Sequence, residues 1–524
     1  MKSAWGFAAM LATFPVAMGD YTNPVFWTDL ADIDIMRVDD TFYYSASTMH
    51  YSPGAPILRS YDLVNWEFAG HSVPELDFPP QNNYNLDGGH AYVKGIWASF
   101  LNYRPSDSLF YWGGCISGGG STYIYTSPAP EGPWEQSTVI DKCYYDAGMV
   151  VDDDADNTMY IAYGTTTITV AQLSADGKSE VQSQNVFTAP NNMYIEGSRF
   201  YKINGVYYIL VTRPADAEFV LKSTGGPFGP YEMQNLVDAV SPPVPSAGHP
   251  HQGGIVDTPN GDWYYMAFID AYPGGRSPVL APISWSSDGW PSVQLVNGGW
   301  GQSYPDAVPN PSGQVKSPTG TDNFTSSSLG PEWEWNHNPD NSKWSFANGG
   351  GLTLNTATVT DDLYAARNTL THRILGPTST GTVVLDISTM QDGDVAGLAL
   401  LRDTSAWIGV KREGSNARVV MVNGLTMDGS WNTASTGSEV DSADITGSDE
   451  IQLRITANIA PASDHKGSFS YSTDGGANFA SLGNQLTMIT DWHFFMGYRF
   501  GIFNYATKAT GGSVTVGSFD LSMS

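Results

Sequence analysis

Cysteine is scarce: Cys115 and Cys143 are the only two in 524 residues, which excludes a disulfide scaffold and leaves at most one bridge. Basic residues are few as well, with 24 Lys plus Arg against 53 Asp plus Glu and a formal net charge of −29. A surface this acidic repels phosphate backbones and anionic lipid, so nucleic acid and membranes are excluded as partners and a neutral polymer is favoured. Beyond the N-terminus no apolar run is long enough to cross a bilayer, and long amphipathic helical stretches are missing throughout.

What is abundant is aromatic: 16 Trp, 28 Tyr and 22 Phe, or 13% of the chain. Many fall in a repeat. A turn residue leads a short run with Tyr in its fourth position, as in Asp40–Tyr44, Ser108–Trp112, Asn157–Ile161, Gly205–Ile209 and Asp262–Met266. The five tyrosines, at 43, 111, 160, 208 and 265, are 68, 49, 48 and 57 residues apart. An apolar segment follows each run, for example Ile57–Trp66 and Val279–Trp290. Repeats of about 40–50 residues built from several short strands mark a β-propeller, here with five blades.

The innermost strand of each blade lines the propeller axis and should precede its Tyr strand by one turn. Counting back 11 to 14 residues from each tyrosine reaches Asp32, Trp97, Asp146, Glu196 and His251. Three carboxylates, a Trp and a His at equivalent repeat positions are expected to converge at one end of the axis. Paired carboxylates are the minimum for glycoside hydrolysis. Glu196, with the longer reach, suits the general acid, and Asp32, from another blade, the general base. Asp146 lies close enough to raise the pKa of Glu196. Trp97 is a candidate to stack on a sugar face, Arg276 to aim a permanent cation at the carboxylates or sugar hydroxyls, and His251 to orient substrate or stand beside an axial ion. Their structural alternatives are a core aromatic, a salt bridge elsewhere and a core histidine.

Residues 1–19 carry Lys2, an apolar run and small residues at Ala17 and Gly19, the pattern of a secretory signal peptide cut after Gly19. The expected location is therefore secreted and extracellular, where Cys115 and Cys143 can pair across the second and third blades; two free buried thiols are the alternative. Asn323-Phe324-Thr325 is a glycosylation acceptor. The expected domains are the signal peptide (1–19), a propeller (20–303), a Pro/Ser/Gly-rich linker (304–320) and a region of regular short strands (321–524) that reads as an antiparallel, jelly-roll-like β-sandwich. The fold class is all-β. Asp392, Asp394 and Asp441 of the sandwich match no repeat position, so that domain is expected to hold the propeller rather than join its chemistry. The polar insertion His71–Tyr92 is expected to wall the axial pocket.

The segments Ala31–Ile35 with Arg37-Val38, Tyr145–Gly148 and Ile195–Ser198 resemble the acid-bearing motifs of glycoside hydrolase family 43. Ser60–Trp66, Val256–Tyr264 and Gly289–Pro291 support the likeness, and residues 324–377 look like the sandwich attached to many family members. The resemblance implies a five-bladed propeller with Asp32 as base, Asp146 as pKa modulator and Glu196 as acid. Lys94–Ser99 and His249–Gly254 are most similar to fungal enzymes that remove arabinofuranose from arabinoxylan, including doubly substituted xylose. An inverting α-L-arabinofuranosidase is thus expected, with β-xylosidase as the alternative and a non-catalytic carbohydrate-binding propeller as the reading from another class. No cofactor is required for that chemistry, a structural calcium at the axis is compatible with it, and the chain is expected to be a monomer. Two departures stand out. The family usually has Pro after the base, where this chain has Ile33 and then a second acid, Asp34. Its Gly-Arg is commonly followed by Glu, where this chain has Ser277.

Overall fold

The structure, a computed structural model, describes residues 19–523 apart from Gly118, so the expected signal peptide lies outside the described residues except for Gly19. Among the described residues the chain is nearly all β, and five antiparallel sheets form the blades of a propeller. Their innermost strands are Asp34–Val38, Phe100–Arg104, Gly148–Asp152, Glu196–Ile203 and His251–Asp257. Each contacts the next, and the fifth returns to the first, closing the ring.

The tyrosine runs form the second strands, such as Val206–Arg213 and Trp263–Asp270. Six consecutive residues of each are buried. A strand covered on both faces by neighbouring blades reads as a continuous apolar run rather than an alternating one. The apolar segments form the third strands. The fourth and outermost are solvated, as in Glu180–Thr188, where no residue is fully buried.

Asp20–Thr22 pairs antiparallel with Ser303–Pro305 and ties the start of the propeller to its end. Asn23 reinforces the tie through the Leu280 and Gly301 carbonyls. The linker then runs along blade one, where the Lys316 N–H donates to the Glu67 carboxylate at 2.9 Å. Cys115 and Cys143 are bonded, joining the second strand of blade two to the loop entering blade three. Asn323 is exposed.

From Gly320 the chain builds two stacked antiparallel sheets, a β-sandwich. The domains are fused rather than tethered. Tyr51–Ser52 of blade one pairs with Trp335-Asn336, adding a propeller strand to the edge of a sandwich sheet. Beside it lies a buried ionic knot: Glu334 accepts from Arg373 at 2.8 Å, from Arg499, and faces His71 of blade one at 3.1 Å. Arg373 also donates to the Asp29 carbonyl at 3.0 Å.

The insertion His71–Tyr92 serves this junction and does not wall the axial pocket as expected. The Leu76 N–H donates to Asn338 at 3.0 Å, the Asn338 N–H to the Tyr84 carbonyl at 2.8 Å, and the Tyr92 hydroxyl to the Tyr364 carbonyl at 2.7 Å. The Leu76 and Tyr84 backbone, the Asn85 amide and the Tyr92 hydroxyl supply polar contacts from the insertion to the sandwich.

Candidate active site

All five repeat-matched residues stand at or just before the start of an innermost strand, at one end of the axis. Asp32 and Asp146 precede their strands by two residues, and both have left-handed backbones, with φ of 59° and 49°. That conformation is uncommon for residues other than glycine, though Asp tolerates it better than most. It ends the strand alternation and turns each carboxylate inward. Here lies the difference from Asp34, which alternation alone would place on the same face as Asp32. Asp34 instead lines a separate cavity with Arg37 and Lys202 and accepts from the Leu101 N–H at 2.8 Å.

Asp32 is buried and doubly held: Arg276 donates to Oδ1 at 3.1 Å and the Ser47 hydroxyl to Oδ2 at 2.5 Å. Arg276 therefore does reach the carboxylates, although Ser277 follows it. Glu196 accepts on one oxygen from two phenols, Tyr145 at 3.1 Å and Tyr194 at 3.0 Å. Its pKa is raised, chiefly by burial, with the Tyr194 and Tyr145 hydrogen bonds pulling it down and the Asp32 charge pushing it up. Asp146 is raised well above the ordinary carboxylate range by burial, then by the charges of Glu196 and Asp32. Glu196 and Asp146 are thus both pushed toward their protonated forms.

Glu196, Arg276 and His251 line a cavity of about 630 Å³, while Asp32 and Asp146 are buried and do not line it. His251 Nδ1 contacts the His249 carbonyl at 2.8 Å, which requires that nitrogen to carry the proton and leaves Nε2 as an acceptor. Calcium takes 6–8 oxygen ligands. Around His251 the protein offers one imidazole nitrogen, the Asp270 carboxylate and an Asp32 already held by Arg276, so most ligands of an axial calcium would have to come from water. Among the described residues, Asp152, Asp153 and Asp154 gather their carboxylates closely enough to hold an ion, but the Lys202 ammonium bonds all three.

The far wall of the cavity comes from the sandwich, through His465, Thr490, Trp492 and Phe495. That domain therefore does more than hold the propeller. Phe495 lies 5.7 Å from the Arg276 guanidinium, and Trp97 packs against its other side with ring centroids 4.7 Å apart. Trp97 also donates to the Val93 carbonyl at 3.1 Å, so it backs the wall and does not line the cavity. The sandwich acids take no part: Asp392 pairs with Lys508 at 2.7 Å, Asp394 accepts from Gln391 and Asp441 from Gly483.

Sequence reasoning missed the two phenols and the sandwich wall. Tyr194 was within reach, because it stands two residues before Glu196, and Tyr145 directly precedes Asp146. Nothing local marks Phe495, whose role depends on how the two domains dock.

The model of glycosyl hydrolases family 43 matches residues 21–291, and that of the beta xylosidase C-terminal concanavalin A-like domain matches residues 321–522. A beta-xylosidase of Formosa agariphila is 31% identical over 446 residues, 72% of each chain. A non-reducing end alpha-L-arabinofuranosidase of Bacteroides ovatus is 30% identical over 355 residues, 64% of each. Among solved structures, one described as a GH43 glycoside hydrolase whose engineered active site displays both endo-xylanase and exo-arabinofuranosidase activity is 50% identical. It superposes with a TM-score of 0.93 over 97% of this chain and 100% of that one.

Proposed function

Because this chain belongs to glycosyl hydrolases family 43, whose relatives act on xylan-type substrates, we propose that it is a secreted, inverting α-L-arabinofuranosidase that removes side chains from arabinoxylan, including those on doubly substituted xylose. The observation that carries this reading is the meeting of Asp32 and Glu196, from blades one and four, beside a cavity that also holds Arg276.

In the proposed reaction Glu196 protonates the glycosidic oxygen as the bond to the anomeric carbon breaks. Asp32, paired with Arg276 and oriented by Ser47, takes a proton from a water that attacks the opposite face. Asp146 is the proposed modulator: in its ionised form it would place a second negative charge near Glu196, beside that of Asp32, and favour the protonated acid. Inversion requires carboxyls about 6.5–9.5 Å apart, against about 5–5.5 Å for retention, and acids from non-adjacent blades suit the wider gap. The sandwich wall makes the site a pocket that admits a branch or a chain end. The Cys115–Cys143 bridge supports an oxidising compartment, and a monomer is the proposed state.

β-Xylosidase activity is the second reading, favoured by the Formosa relative and by the description of the C-terminal domain. A product profile on wheat arabinoxylan and on aryl α-L-arabinofuranoside and β-xyloside separates the two. Arabinose should predominate, appearing first as the β anomer by proton NMR. Xylose as the main product would replace the first reading with the second, and retained configuration would overturn the roles of Asp32 and Glu196.

A further inference from the structure

Arg199 stands three residues after Glu196, in the same innermost strand, and is completely buried. A register shift between Glu196 and Arg199, with Gly197 at φ 70°, turns its side chain into the axis. There its guanidinium donates to four carbonyls: Asp32 at 2.7 Å, Ile33 at 2.5 Å, Ala147 at 3.2 Å and Ser198 at 2.8 Å. These belong to the three segments that carry the acids, on blades one, three and four. The Ser198 N–H closes the circuit by donating to the Asp146 carbonyl at 2.9 Å. A Cβ on Gly148 would lie 2.6 Å from the Arg199 Cα, so blades three and four approach too closely here for any other residue.

Asp34 is the countercharge, its Oδ1 3.8 Å from Arg199 Nε, and its other oxygen is anchored by the Leu101 N–H of blade two. Four blades are therefore joined through one ion pair directly beneath the acids. The arrangement accounts for the second acid of the Asp32-Ile33-Asp34 segment, which faces away from the pocket. It also shows what sustains the left-handed backbones of Asp32 and Asp146, since strained conformations persist only where their surroundings over-determine them.

We propose that Arg199, with Asp34 as its counterion, is a positioning residue that sets the separation and aim of Asp32, Asp146 and Glu196 by holding their backbones. The inference rests on the assignment of those three acids. Arg199 touches no sugar in this scheme. It acts through carbonyl groups and through its charge, which bears on Asp146, Asp34 and Glu218.

The test is steady-state kinetics with an aryl α-L-arabinofuranoside from pH 3 to 9, on full-length Arg199→Gln, Asp34→Asn, Asp32→Ala and Glu196→Ala, with folding followed by circular dichroism. Loss of geometry of the order of 1 Å costs about 100-fold in rate, so Arg199→Gln should lose about that much kcat while KM stays within about threefold. Its acidic limb should move to higher pH, because Asp146 loses a cation that favours its ionisation. Asp34→Asn leaves the guanidinium uncompensated and should move that limb to lower pH. Opposite shifts are not expected of residues that merely support the fold. A folded Arg199→Gln with kcat within about threefold of the parent, or shifts of both variants in the same direction, would overturn the proposal. Should Arg199→Gln not fold, Asp34→Asn decides alone: a limb that stays or rises refutes it. Substantial activity in Asp32→Ala or Glu196→Ala would instead refute the underlying acid assignment.

Discussion

Replacing both Tyr145 and Tyr194 by Phe should move the alkaline limb of the pH–rate profile upward by about one pH unit. Both phenols donate to the same Glu196 oxygen, at 3.1 and 3.0 Å. Such bonds stabilise the carboxylate and not the acid, so they lower the pKa of the group that must be protonated to work. A hydrogen bond to a charged group is worth about 1.5–3 kcal/mol. Tyr145 and Tyr194 are 37% and 49% exposed, however, so water replaces most of each bond when the hydroxyl is removed. Taking about a third of the range leaves about 0.7 kcal/mol, or half a pH unit, per phenol. The assay is kcat/KM for an aryl arabinofuranoside between pH 4 and 9, which reports the free enzyme. Each single variant should shift the limb about half as far. A limb that stays in place or moves to lower pH would refute the reasoning, since it would mean that these phenols do not govern Glu196.

Four further outcomes are expected. Phe495→Ala should raise KM on arabinoxylan about tenfold, equivalent to about 1.4 kcal/mol of lost wall contact, with kcat changed less because the acids lie in the propeller. Glu334→Gln should cost about 3–5 kcal/mol in urea unfolding, because Arg373 and Arg499 are left as buried charges without a partner. Cys115→Ser should cost about 3–4 kcal/mol by opening a 28-residue loop. His50 and His337, buried at the domain junction with ring centroids 4.7 Å apart, both have pKa values well below the ordinary 6.5 because of burial. The unfolded chain then binds more protons below pH 6.5, so stability falls as pH drops from there. His50→Phe should flatten that slope by about 1.4 kcal/mol per pH unit between pH 6 and 5.

The blades were legible because each repeats a turn followed by an aromatic strand, and because a strand buried on both faces leaves an unbroken apolar run. The outermost strands were not. Glu180–Thr188 is almost wholly solvated, and hydrogen bonding to Thr167–Leu173, rather than burial, makes it a strand. Asp32, Asp146 and Glu196 could be read because repeat position converts sequence offset into location on the axis. Trp97 obeyed the same offset but packs on Phe495, since its neighbourhood is set by the other domain. The insertion His71–Tyr92 was misplaced for the same reason: its polar composition marks a surface that meets something, without saying what. Asp34 required the backbone itself, because only the positive φ at Asp32 separates two acids that an ideal strand would align.

The ladder between Tyr51–Ser52 and Trp335-Asn336 also bears on how substrate passes through the site. The floor of the pocket belongs to the propeller and its far wall to the sandwich, yet the two are stitched by main-chain hydrogen bonds and a buried ionic knot. Such a joint leaves no hinge. The width of the entrance is then a fixed property of the fold, and selection among polymers is a matter of static clearance. The released sugar leaves by the opening through which the substrate entered, at a rate set by its affinity for the pocket and not by any gate.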